Sequence, residues 1–193
     1  MTISTFLNSW RRFIAKCLLT LVVGLSCLLL MGTPPALAKF TDDSFDGNIF
    51  VLYAGNGSLV PPKVTLAESL KRNNPTVLVF YTDDSSDSKQ YATVVSRIQA
   101  FYGRAADLIP VSVDSIPVKA SYEPTEPGYY YQGFVPQIVL FDQSGKIVLN
   151  DKGQVPYERV DDALRKVFNL TPREKGPNLK QRSFNEFNTE LAE

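Results

Sequence analysis

Residues 76–89 read Thr-Val-Leu-Val-Phe-Tyr-Thr-Asp-Asp-Ser-Ser-Asp-Ser-Lys. The first six form a near-continuous apolar run rich in β-branched and aromatic side chains, the pattern of a strand covered on both faces. A polar loop, Thr82 to Ser88, follows. From Lys89 to Tyr102 the apolar residues Tyr91, Val94, Val95, Ile98 and Phe101 recur at helical spacing, which predicts one helix with a buried stripe, ended by Gly103. A buried strand running through a polar loop into an amphipathic helix is the nucleus of a layered α/β domain.

Working downstream, Leu108 to Val113 reads as a second strand. A Pro- and Tyr-rich insertion then leads to Gly133-Phe134-Val135-Pro136. Gln137 to Asp142 (QIVLFD) is a further strand, and Ser144-Gly145 turns it into Lys146 to Leu149, giving a hairpin. A helix from about Tyr157 to Phe168 presents Val160, Ala163, Leu164, Val167 and Phe168 on one face and stops at Pro172. Upstream, Ile49 to Tyr53 (IFVLY) reads as a short strand ended by Gly55-Asn56-Gly57-Ser58. Thr65 with Glu68 three residues on is a capping box opening a short helix. The order β, α, β, α, β, long connection, β, β, α predicts a mixed sheet with helices on both faces.

The chain begins differently. Trp10, Arg11, Arg12 and Lys16 make a basic, acid-free start, Cys17 to Met31 is an apolar run, and Ala36-Leu37-Ala38 is an A-x-A site that would cut before Lys39. Residues 1–38 therefore read as a signal peptide or a retained N-terminal membrane anchor, 39–170 as the folded body and 171–193 as a polar tail. Phe184, Phe187 and Leu191 give that tail the spacing of a short amphipathic helix from about Leu179. In either form the basic flank stays in the cytoplasm and Lys39 onward faces the far compartment.

Composition removes whole classes of chemistry. The 193 residues contain no His, so Ser/His/Asp or Cys/His couples and His-ligated metals are excluded. Lys plus Arg equals Asp plus Glu at 20 each, which gives no electrostatic reason to expect nucleic acid. The two cysteines, Cys17 and Cys27, both lie in the leader, so the body carries no thiol.

The body resembles the thioredoxin fold over roughly Asn48 to Leu170. Thioredoxins carry a buried strand ending in Phe-Trp or Phe-Tyr, then a short run into Cys-Gly-Pro-Cys-Lys at a helix start. Here Phe80-Tyr81 leads to Ser85-Ser86-Asp87-Ser88-Lys89, with Ser85 and Ser88 where the cysteines would stand. Val135-Pro136 before QIVLF matches the family's cis-proline, so the resemblance implies a cis bond there. The departure governs the chemistry: exchange needs a thiolate attacking a disulfide sulfur, and a hydroxyl cannot accept or pass on that electron pair. The expectation is a non-enzyme with no cofactor and no metal.

The leader, the Ser-for-Cys loop and the tyrosine-rich insertion together resemble a cyanobacterial thylakoid membrane protein family described as a photosystem I accumulation factor. That resemblance implies a thylakoid membrane protein, its body on the lumenal side, supporting photosystem I assembly or accumulation through contacts with photosystem I subunits or assembly intermediates. Ser85, Ser88 and Pro136 would be the inherited groove edge, and Tyr129, Tyr130 and Tyr131 a partner surface. Each has a plainer reading. The loop 83–88 can simply cap a helix, and the three tyrosines can fold back over the sheet. Asp83, Ser85 and Asp87 have an i, i+2, i+4 spacing, but Ser88 and Val94 stand where a calcium loop needs Gly and Glu. The alternatives are an exported thioredoxin-like oxidoreductase using a partner's cysteine, and a lumenal ligand or metal carrier.

Overall fold

The structure is a computed structural model describing residues 3–31 and 39–173. The Ala36-Leu37-Ala38 site and the helix expected from Leu179 lie outside the described residues. The chain divides into two units, Met1–Leu37 and Ala38–Glu193. In the first, α1 (Ile3–Met31) runs through the basic start and the apolar run. Among the described residues no helix is long and apolar enough to cross a membrane.

Among the described residues the second unit holds four strands: β1 (Thr76–Tyr81), β2 (Asp107–Ser112), β3 (Gln137–Phe141) and β4 (Ile147–Lys152). They lie in the order β2-β1-β3-β4; β1 pairs parallel with β2 and antiparallel with β3, and β3 pairs antiparallel with β4. With α4 (Ser86–Tyr102) crossing from β1 to β2 and α5 (Tyr157–Val167) following β4, this is a thioredoxin-like fold. Every residue of β1 and β3 is buried, as central strands require.

The pleat sorts the core into two layers. Val77, Val79 and Tyr81, with Ile138 and Leu140, face a layer made by Tyr91, Val95 and Ile98 of α4 and by Val160 and Leu164 of α5. Leu78 and Phe80, with Val139 and Phe141, face the other. There α3 (Leu66–Lys71) contributes Leu66 and Leu70, and the connection from β2 to β3 supplies Ile116, Tyr130 and Tyr131. The capping box of α3 forms as read, Thr65 accepting from the Glu68 amide while the Glu68 carboxylate accepts from the Thr65 amide.

One expected strand is absent. Ile49–Leu52 is a single helical turn, α2, because Asn48 caps it and Asp83, distant in sequence, accepts the Ile49 amide at 2.9 Å. Ile49 and Phe50 bury against the α4 side of the core while Val51 and Leu52 stay exposed. The sheet therefore has four strands and ends at β2.

Candidate functional site

The register Phe80↔Gln137 brings the loop leaving β1 and the Pro136 loop entering β3 to one end of the sheet. Val135–Pro136 is cis, and Pro136 is buried. Its carbonyl accepts the Gly153 amide at 2.8 Å. The neighbouring Gln154 amide group donates to Asp87 at 2.8 Å, so the β4–α5 loop ties the first turn of α4 to the strand end carrying Pro136.

Both serines are engaged in holding backbone. Ser85 is the N-cap of α4, its Oγ accepting from the Ser88 amide at 3.2 Å. Ser88 is 1% exposed, and its Oγ accepts from the Thr82 amide at 3.4 Å. Asp43 accepts the Ser86 amide at 2.8 Å, which fixes its carboxyl below the usual range. The contacts to the Ser86 and Ser88 amides use donors that a helix start leaves free, and the one to Thr82 ties that start to the end of β1.

The acidic residues of the loop do not converge. Asp83 turns to the Ile49 amide and Asn48, Ser85 to the Ser88 amide, and Asp87 to Gln154. Burial pushes the Asp83 carboxyl upward, against the hydrogen bond from Ile49 and with the repulsion of Asp114 and Asp84. Among the described residues no cluster of three or more His, Cys, Asp or Glu is arranged to hold a metal ion.

The three tyrosines separate. Tyr131 packs on Phe80 with ring centroids 5.3 Å apart, and Tyr130 lies edge-on to Phe141 at 4.9 Å. Tyr129 is 54% exposed and Phe134, next to the cis bond, 49%. Gln137, fully buried, anchors the connection by accepting the Gln132 amide and donating to the Tyr130 carbonyl and Asn150. Folding back thus accounts for Tyr130 and Tyr131, and Tyr129 is left on the surface.

Sequence reasoning missed Lys89. It is fully buried, and its ammonium donates to Asp46 Oδ2 at 2.8 Å, the Ser44 carbonyl at 2.6 Å and the Asp42 carbonyl at 3.1 Å. Desolvation alone would lower its pKa; its hydrogen bonds to the Asp46 and Asp42 carboxylates outweigh that and hold it above its ordinary value. Residues 39–46 are thereby strapped along the start of α4. The signal available in sequence was a cluster of three Asp, at 42, 43 and 46, with Lys39 as the one base among residues 39–46.

No family model matches the chain. It is 51% identical over 193 residues to "Thylakoid membrane protein slr1796" of Synechocystis sp. (strain ATCC 27184 / PCC 6803 / Kazusa), covering 94% of this chain and 96% of that protein. Among solved structures it matches a chain from work on the thiol resolving mechanism of yeast mitochondrial 1-Cys peroxiredoxin via the glutathione/thioredoxin systems. That match has 16% identity and a TM-score of 0.39, covering 54% of this chain and 86% of that one. The fold assignment rests on the sheet order and registers above.

Proposed function

The chain belongs to the family of the Synechocystis thylakoid membrane protein slr1796, and from that premise we propose that it is a non-enzymatic thylakoid protein whose thioredoxin-like body supports photosystem I assembly or accumulation through protein contacts. The body lies on the lumenal side, a placement supported by the basic, acid-free start of the leader. Photosystem I as the beneficiary rests on the family resemblance carried by the leader, the Ser-for-Cys loop and the tyrosine-rich insertion.

The observation that carries the non-enzymatic reading is the use made of the two serines. Ser85 and Ser88 spend their oxygens as acceptors for backbone amides, and residues 39–193 contain no thiol to exchange. Exposed aromatic area on the β2–β3 connection, at Tyr129 and Phe134, offers the rigid amphipathic surface that anchors interfaces. Gln137 holds that connection in place, so little ordering entropy opposes binding.

The test is co-purification. Tagged full-length chain taken from gently solubilised thylakoids should bring photosystem I subunits with it, and a Tyr129→Ser/Phe134→Ser variant should bring markedly less. Equal recovery with the variant would remove this surface from the account.

A further inference from the structure

Along the free edge of β2 lies a groove of about 590 Å³ that the reading above does not use. Its apolar floor includes Leu66, Ile109, Val111 and Ile116, and its rim carries Pro61, Pro62, Pro117 and Pro127. Tyr122 forms a wall: its ring lies so close over Gly128 that a Cβ there would collide with it.

Apart from Lys63 and the Ser112 and Thr125 hydroxyls, the side-chain polar groups that line this groove are largely occupied elsewhere. The Glu68 carboxylate is held by Thr65, Glu126 by Lys119 and the Glu123 amide, and the Tyr122 hydroxyl donates to the Pro117 carbonyl at 2.9 Å. The Ser115 hydroxyl donates to the Ser112 carbonyl at 2.6 Å. Prolines at 61, 62, 110, 117 and 127 carry no N–H. An extended peptide laid on β2 would find Pro110 where a donor is needed and the Ser112 carbonyl already engaged, leaving its own backbone groups unpaired. The occupant that fits is one without a backbone.

One charged group on the rim is uncommitted. Lys63 is exposed, and among the described residues no carboxylate forms an ion pair with it. At about 30 Å³ per heavy atom, the share of a water molecule in the liquid, the groove holds roughly 20 heavy atoms. That is one long hydrocarbon chain with a small head, and less than the two chains of a membrane glycerolipid.

We propose that this groove binds a free long-chain fatty carboxylate, the chain along the Ile109, Val111 and proline lining and the carboxylate at the Lys63 ammonium. The proposal stands independently of the photosystem I reading.

Membranes containing the full-length chain would be photolabelled with a palmitate analogue carrying a diazirine in its chain, and the labelled peptides mapped by mass spectrometry. Labelling should fall within residues 60–68 and 109–128, drop several-fold in Lys63→Glu, stay unchanged in Lys71→Glu, and be lost when Val111→Trp fills the groove. A diazirine analogue of hexadecanol, which lacks the charge, should label the groove much more weakly. Labelling confined to residues 13–31, or groove labelling undiminished in both Lys63→Glu and Val111→Trp, would overturn the proposal. So would groove labelling by a diazirine phosphatidylglycerol in preference to the palmitate analogue.

Discussion

Lys89 Nζ stands 2.8 Å from Asp46 Oδ2, joining the first turn of α4 to the segment that precedes α2. Asp46 also accepts from Tyr53, and both hydrogen bonds hold its carboxyl below the ordinary value of 3.8. Asp42 is lowered too, first by Ser44 and then by Lys89. A carboxyl depressed in the folded state contributes stability above its unfolded pKa and loses it as pH falls through the folded one. Lys89, raised above 10.5, contributes fully below that value and loses its contribution only in strong alkali. Lys89→Met should therefore lower Tm at neutral pH and speed hydrogen exchange in residues 39–46, with the deficit shrinking as pH drops below about 3.8. Melts of wild type and variant from neutral pH down to about pH 2.5 check this.

Asp161 sits at a second polar centre, 3% exposed, accepting from Arg165 Nε at 2.7 Å, Tyr157 at 3.3 Å and the Tyr102 hydroxyl. Its carboxyl is lowered: burial pushes it up, and the hydrogen bonds from Tyr102 and Arg165 more than reverse that. Removing one partner of such a group leaves the others buried and unpaired. Asp161→Ala should cost about 3 kcal/mol and Tyr102→Phe about 1 kcal/mol. In the double variant the two should fall well short of additive, measured by urea unfolding.

Ser85→Ala removes the N-cap of α4 and should cost about 1 kcal/mol. Ser85→Asp keeps an acceptor at the same place and adds negative charge where the helix dipole favours it, so it should recover most of that loss. Equal destabilisation by both variants would mean that the Ser85 hydroxyl does something other than cap.

The tyrosines should sort by packing. Tyr130→Ala and Tyr131→Ala strip aromatic contacts from Phe141 and Phe80 and should each cost about 2 kcal/mol, less than full burial would imply because both rings are only part-buried. Tyr129→Ala should stay within about 0.5 kcal/mol of wild type. Thermal melts of the three single variants give the comparison directly.

Much of this architecture is legible in residues 76–142 because β1 and β3 are nearly pure apolar runs and α4 keeps one stripe. Pro136 is cis as the resemblance implies. Ile49 to Tyr53 misleads because β-branched and aromatic residues favour strand locally, whereas Asn48 and Asp83 supply the caps of a helical turn, and Asp83 arrives only through tertiary folding. β4 runs past Leu149 to Lys152 because β3 offers it backbone partners that the polar residues Asn150 and Asp151 do not advertise. Lys89 shows the same limit at the site. In sequence it is one more base at a helix start, and only folding brings Asp42, Asp46 and three carbonyls around it.

The central claim is that this chain sustains photosystem I without thiol chemistry. The most direct test is the photosystem I to photosystem II ratio, by low-temperature chlorophyll fluorescence, in a strain lacking the chain and in that strain rescued with Ser85→Ala/Ser88→Ala. The account predicts a lowered ratio in the deletion that the rescue restores. A ratio unchanged by the deletion would contradict it.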